Sequence, residues 1–257
     1  MPGNIQCTVT MTAGTDEYPY QEQETINLDL TLSQFGFPLD GIVVKSSPIV
    51  ADLDSDGMKE IYFGSDNEAL HGYNSFGEEI DGFPFQSTDR VRSSPAVGDV
   101  DNDGQMEIVF GNSSGKLYIV NHDGSQQLAY SILGFIEGSP ALVDVDSDQD
   151  LEIIFNTTTT SGGKLYAIHH NGITMSGFPK ELGSMWVGPA VHDIDNDGAY
   201  DIVCATYDKE VYAINIDGGA IKSGFPVITE GRLDISPTIV DIDLSLIHIS
   251  EPTRQPC

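Results

Sequence analysis

A nine-residue acidic stretch recurs four times in this chain, and it limits what the chain can fold into more than any other feature. The copies run Asp52-Leu-Asp54-Ser-Asp56-Gly57-Met58-Lys59-Glu60, Asp99-Val-Asp101-Asn-Asp103-Gly104-Gln105-Met106-Glu107, Asp144-Val-Asp146-Ser-Asp148-Gln149-Asp150-Leu151-Glu152 and Asp193-Ile-Asp195-Asn-Asp197-Gly198-Ala199-Tyr200-Asp201. Each places carboxylates at positions 1, 3, 5 and 9. Four carboxylates crowded into one loop repel each other unless a cation neutralises them. Hard cations such as Ca2+ take roughly six to eight oxygen ligands at about 2.3–2.6 Å. Alternate side chains on a tightly curled loop can converge on one such ion. Glycine at position 6 permits the sharp turn because it tolerates positive φ. One copy alone would read equally well as a solvated acidic turn, but four in register read as cation loops.

Each loop offers its own ligand set. The first offers Asp52, Asp54, Asp56 and Glu60, with the Met58 carbonyl at position 7; the second offers Asp99, Asp101, Asp103 and Glu107, with the Gln105 carbonyl. The third offers Asp144, Asp146, Asp148 and Glu152 with the Asp150 carbonyl, and the fourth Asp193, Asp195, Asp197 and Asp201 with the Ala199 carbonyl. The third loop has Gln149 where the others have glycine. A non-glycine residue held at positive φ costs roughly 1–2 kcal/mol, so this site is expected to be the weakest of about four Ca2+ sites. A fifth copy starts at Asp241-Ile-Asp243 and then breaks off, leaving too few donors for an ion. The ligand sets are full and leave little room for a substrate, which points to a structural metal.

The residues after each loop separate it from an EF-hand, whose loop has about twelve positions and lies between helices. Here the last acid is at position 9 and leads at once into Ile61-Tyr-Phe63, Ile108-Val-Phe110, Ile153-Ile-Phe155 or Ile202-Val-Cys204. These β-branched and aromatic runs read as buried strands. Other marks recur in fixed order. Gly-Phe-Pro stands at 36–38, 82–84, 177–179 and 224–226, and Gly134-Phe-Ile replaces it once. A small residue and proline come next, at Pro48, Pro95, Pro140, Pro189 and Pro237, spaced 47, 45, 49 and 48 residues apart. A third strand is expected at 69–73, 116–120, 164–168 and 210–214. A turn with Asn-Gly or Asp-Gly character comes after it; such pairs suit hairpins because both central positions can take positive φ. Four antiparallel strands per ~45–50 residues, without helical periodicity, make one blade of a β-propeller. A β-solenoid has a shorter period. The fold class is therefore all-β.

Composition narrows the function. The 257 residues hold 11 Lys+Arg against 40 Asp+Glu, a formal charge of −29, so nucleic acid is a poor partner. No stretch is long and apolar enough for a transmembrane helix. Cys7, Cys204 and Cys257 form no disulfide framework, and Cys204 is expected to be a core thiol. His71, His122, His169, His170, His192 and His248 are each explained by their place in the repeat. No nucleophile elbow, phosphate loop or zinc motif is present, so this chain is not expected to be an enzyme. The single Trp186 reads as packing or a blade-edge contact.

The run Ser94-Pro-Ala-Val-Gly-Asp99 through Glu107-Ile-Val-Phe-Gly111 resembles the FG-GAP (VCBS-like) repeat of integrin α-subunit propellers, and most closely its versions in bacterial secreted proteins. The resemblance covers residues 34–243 and implies a propeller with calcium in the loop joining the first two strands of each blade. Family propellers usually close with about seven blades; four whole blades and a fragment suggest that further blades belong to the parent chain. Residues 1–33 alternate apolar and polar in two runs and read as the last hairpin of a truncated Ig-like β domain. Residues 244–257 leave the repeat in mid-motif and resemble translated sequencing-adapter read-through, so no function is read from them. The expected function is a calcium-binding, non-catalytic module for an extracellular protein or glycan, on a secreted or cell-surface protein of bacterial type. The alternatives are an accessory region of a larger secreted hydrolase and a lyase acting on a calcium-bound acidic sugar. The scattered basic residues disfavour the lyase.

Overall fold

The computed structural model describes residues 3–15, 18–30, 36–37 and 39–240. The incomplete fifth loop at Asp241 and Asp243 and the tail 244–257 lie outside the described residues. The described residues fall into two compact units, those up to residue 40 with 76–78, and 41–75 with those from 79 onward. In the first, β1 (Gly3–Thr15) and β2 (Tyr18–Leu30) pair antiparallel, from Gly3 opposite Leu30 to Thr15 opposite Tyr18.

The second unit contains four sheets of four strands each. The first holds β3 (Ile49–Ala51), β4 (Glu60–Gly64), β5 (Ala69–Tyr73) and β6 (Phe85–Gln86); the second β7 (Ala96–Gly98), β8 (Glu107–Gly111), β9 (Lys116–Asn121) and β10 (Gln126–Ser131). The third holds β11 (Ala141–Val143), β12 (Glu152–Thr159), β13 (Gly162–Ile168) and β14 (Lys180–Leu182); the fourth β15 (Ala190–His192), β16 (Asp201–Ala205), β17 (Glu210–Asn215) and β18 (Val227–Ile228). Every sheet is an antiparallel meander with its strands in chain order. The first strands β3, β7, β11 and β15 lie beside one another in succession. They form the inner edge of the array, and the fourth strands form the outer edge. Pro48, Pro95, Pro140 and Pro189 each stand just before a first strand, where the missing N–H costs no ladder bond.

Side chains alternate across a strand, and here each blade uses both faces. Ile108 and Phe110 of β8 join Tyr62, Leu70 and Phe83 in the layer between the first two blades. Val109, between them in sequence, points the other way, to Ile153 and Phe155 of β12. Ile154 in turn faces the fourth blade with Ile202 and Ile214. This two-sided burial explains why each second strand carries consecutive apolar residues and no apolar–polar alternation. Cys204 lies in the third of these layers at 3 % exposed, and burial pushes its thiol pKa up to about 12. At Gly111 a Cβ would strike the Ile136 side chain, so only glycine lets the segment entering the third blade close onto β8.

The turns after the third strands of the second and third blades differ from the mirror-image two-residue turn. In the second and third blades only the glycines Gly124 and Gly172 have positive φ, and Asp123 and Asn171 before them do not; in the fourth, the adjacent Gly218 and Gly219 both do. The N–H of Gly124 donates to the Asn121 carbonyl and the N–H of Asn121 to the Ser125 carbonyl, and His169, Gly172 and Ile173 repeat the pattern. This is the longer hairpin turn with one left-handed glycine, not the two-residue mirror-image turn. The Asp or Asn before the glycine serves instead as a side-chain acceptor: Asp123 takes the Ser125 N–H and Asn171 the Ile173 N–H.

Phe155 is fully buried and stacks on Tyr166, with ring centres 5.1 Å apart. Phe155→Ala should destabilise the protein by about 3–5 kcal/mol, read as a lowered urea midpoint.

Candidate metal centres

The four acidic loops join the first and second strands of their blades, as the repeat pattern predicts. Their backbone is set by their own carboxylates. The aspartate at position 1 accepts the N–H of position 6: Gly57 to Asp52 (3.0 Å), Gly104 to Asp99 (3.0 Å), Gln149 to Asp144 (3.2 Å) and Gly198 to Asp193 (2.9 Å). The aspartate at position 5 accepts the N–H of position 7, from Met58, Gln105, Asp150 and Ala199. Position 6 has positive φ throughout, including Gln149 at 79°. Position 4 does too, at Ser55, Asn102, Ser147 and Asn196. Sequence reasoning missed this second left-handed residue. The asparagines at two of these positions are its signal, because Asn tolerates that region better than most residues.

Position 9 is the first residue of the second strand, and it lies inside the blade. Glu60, Glu107, Glu152 and Asp201 are all buried, the last two completely. Each accepts the N–H of position 2, at 3.3 Å from Leu53, 2.9 Å from Val100, 3.0 Å from Val145 and 3.2 Å from Ile194. Burial raises the pKa of Glu60, Glu107 and Glu152 despite that bond, and Glu107 reaches about 7. Nearby carboxylates push the same way; for Glu107 they are Asp101, Asp103 and Asp99.

Oxygens from Asp52, Asp54 and Glu60 lie within 4.8 Å of one another, as do those of Asp99, Asp101 and Glu107. The same holds for Asp144, Asp146 and Asp148, for Asp193, Asp195 and Asp197, and for a set joining Asp146 and Glu152 to His169. Thus Asp56 and Asp103 stand outside the tight groups of their loops, and Asp201 outside that of the fourth. Oδ1 of Asp52, of Asp101 and of Asp201 is buried without a hydrogen-bond partner. A buried carboxylate oxygen with no donor is costly, and a cation supplies what is missing. These clusters could therefore hold metal ions.

Groups from elsewhere in each blade make the loops unequal. Gln127 donates from Nε2 to Asp101 at 2.8 Å in the second loop. His169 Nδ1 meets Glu152 Oε1 at 2.9 Å in the third. In the fourth, Lys222 Nζ lies 2.5 Å from Asp201, 2.7 Å from Asp195 and 3.8 Å from Asp197. Burial works to lower the Lys222 pKa, but its bonds to Asp195 and Asp201 outweigh that and raise it. Sequence reasoning placed His169 in the repeat but did not bring it to a loop, and it passed over Lys222. His71, in β5, is held between Ser65 and Glu79 and stacks on Phe63. Trp186 stacks with Phe135 and lies tilted against Tyr207, a packing contact across blades.

Four-stranded blades arrayed edge to axis, with an acidic loop between the first two strands of each, define a β-propeller. Residues 52–110 match the family model of the FG-GAP-like repeat, so the chain carries the repeat that its motif resembles. Among solved structures, the fold is similar to BBS1N in complex with ARL6DN, soaked with lead. The two share 13% identity and a TM-score of 0.54, over 74% of this chain and 57% of that one. The mercury-soaked crystal of the same complex gives a TM-score of 0.53 at 13% identity, covering 74% and 55%. BamB from Moraxella catarrhalis gives 0.47 at 17% identity, covering 78% and 56%. The chain thus spans little more than half the length of these structures. No curated protein sequence matches it.

The buried ninth-position acid and the left-handed sixth position both have measurable consequences. Glu107 holds a proton in the ion-free folded state up to about pH 7, whereas the unfolded chain releases it near the ordinary glutamate value of 4.5. The folded state therefore binds more protons between these values, and ion-free stability should fall as pH rises through that window. Glu107 contributes on the order of 3 kcal/mol of that loss, so the fall should be smaller in Glu107→Gln, where Glu60 and Glu152 still contribute, as urea midpoints in chelator at pH 5 and 7.5 will show. Gln149→Gly relieves a left-handed glutamine and should stabilise the protein by about 1 kcal/mol, read as a higher melting temperature.

Proposed function

We propose that this chain is a calcium-stabilised, non-catalytic propeller module of a secreted or cell-surface protein, which binds an extracellular protein or glycan. One observation carries the calcium reading. In the first two loops, three carboxylates converge within 4.8 Å, and one oxygen in each loop is buried without a donor. The donors there are all oxygen, the set a hard cation prefers over soft or imidazole-seeking metals. Loops of this kind, with loosely placed fifth-position acids, suit the millimolar calcium found outside cells.

The metal's role in this reading is structural. An ion that binds only the folded state stabilises it by about 2.7 kcal/mol per site at a hundredfold excess over Kd. Position 9 carries that stabilisation inward, because Glu60, Glu107 and Glu152 each begin a core strand. The acidic surface argues against nucleic acid. A protein partner is in keeping with the BBS1N structure, which is of a complex with ARL6DN, although that likeness is of fold alone.

The test is the melting temperature in millimolar calcium and in chelator, for the wild type and for Asp101→Asn. Calcium should raise the wild-type melt by several degrees, and by less in the variant. Equal melts with and without calcium would overturn the reading and leave empty acidic turns.

A further inference from the structure

The fourth acidic loop differs from the others in having a cation of its own. Its carboxylates at positions 3 and 9, Asp195 and Asp201, both contact Lys222 Nζ, at 2.7 and 2.5 Å, and Asp197 at position 5 lies 3.8 Å away. The lysine side chain is only 14% exposed, so its ammonium group sits within the loop and does not reach into solvent. We propose that Lys222 is the resident cation of the fourth loop and takes the place of a divalent ion there. The inference rests on the calcium reading of the other loops for its contrast.

Lys222 holds a defined place in the blade. Its N–H donates to the Ala213 carbonyl, just as Ile80 donates to Gly72 in the first blade and Met175 to Ala167 in the third. Those two blades carry an apolar side chain at this place, and Ile80 lines the hollow beside Asp54 and Glu60 without adding charge. The fourth blade carries an ammonium group, one of only 11 Lys+Arg in the chain. It occupies the oxygens that a metal would need. A divalent ion brought among Asp193, Asp195 and Asp197 would face a positive charge on Asp195 itself, and repulsion at that range is strong in a partly buried site. A calcium loop needs several free oxygens, and Lys222 already holds Oδ2 of Asp195 and Oδ2 of Asp201, leaving Oδ1 of Asp201 as the unpartnered one. The fourth loop thus has part of its negative charge offset from within the chain, at the oxygens a divalent ion would share, and is independent of calcium.

The experiment counts calcium ions on the full chain by native mass spectrometry, for the wild type, Lys222→Met and Asp193→Asn. Methionine copies the third blade at this position. The expected result is one more ion on Lys222→Met than on the wild type, and no change for Asp193→Asn. An ion lost from the wild type by Asp193→Asn, or none gained by folded Lys222→Met, would overturn the inference. Lys222→Gln serves if the methionine variant does not fold. If no form binds calcium and Asp101→Asn is also without effect, the calcium reading itself has failed. The lysine's role is then decided in chelator. Lys222→Met should lower the melting temperature by several degrees, and adding Asp195→Asn should recover part of it; an unchanged melt overturns the inference.

Discussion

Burial of each blade on both faces by its neighbours is the constraint on which the rest of the second unit depends. A four-stranded meander alone would expose Ile108, Val109 and Phe110 on one face or the other. Stacked between its neighbours it exposes none of them. Apolar burial contributes roughly 25 cal/mol per Å2, and here it is gathered into three layers, each shared by two blades. No blade owns its core. Stability in such an array comes from interfaces between repeats more than from the repeats themselves.

The acidic loops are tied to that packing through a single residue each. Position 9 is both the last acid of the loop and the first residue of the strand that runs through the core. Its carboxylate is buried because the strand is, and its bond to the N–H of position 2 closes the loop on itself. A charge there is costly when unpaired, which is why Glu107 resists ionisation. The loop and the core therefore respond together: whatever neutralises the loop also settles a group inside the blade.

Much of this was legible in the sequence because the repeat shows the same physics four times. The period, the strand order, the prolines before the inner strands and the convergence of Asp52, Asp54 and Glu60 all come from local pattern. Features set by a single position in one blade were harder to see. Gln149 was visible as a departure within its loop. Lys222 and His169 were not, because they lie 21 and 17 residues beyond the carboxylates they meet and arrive there only through the hairpin geometry. The type of the hairpin turn was hard to see for a related reason. Asp-Gly signals a turn, but the bond from Gly124 to Asn121 that makes it the longer kind depends on where β9 and β10 pair.

The four loops share a backbone but not a charge environment. An amide faces Asp101, an imidazole faces Glu152, and an ammonium group faces Asp195 and Asp201. Each donor comes from the outer half of its own blade, where side chains can change without disturbing the layers between blades. The loop backbone, by contrast, is fixed by bonds from positions 1, 5 and 9 and cannot change without unfolding the turn. The repeat can thus keep one loop architecture and vary how its charge is offset, blade by blade. The array then does not depend on one ion concentration for every blade at once. A blade whose loop is held by its own lysine stays ordered when calcium is scarce, and the layer it shares with the third blade keeps at least one of its walls.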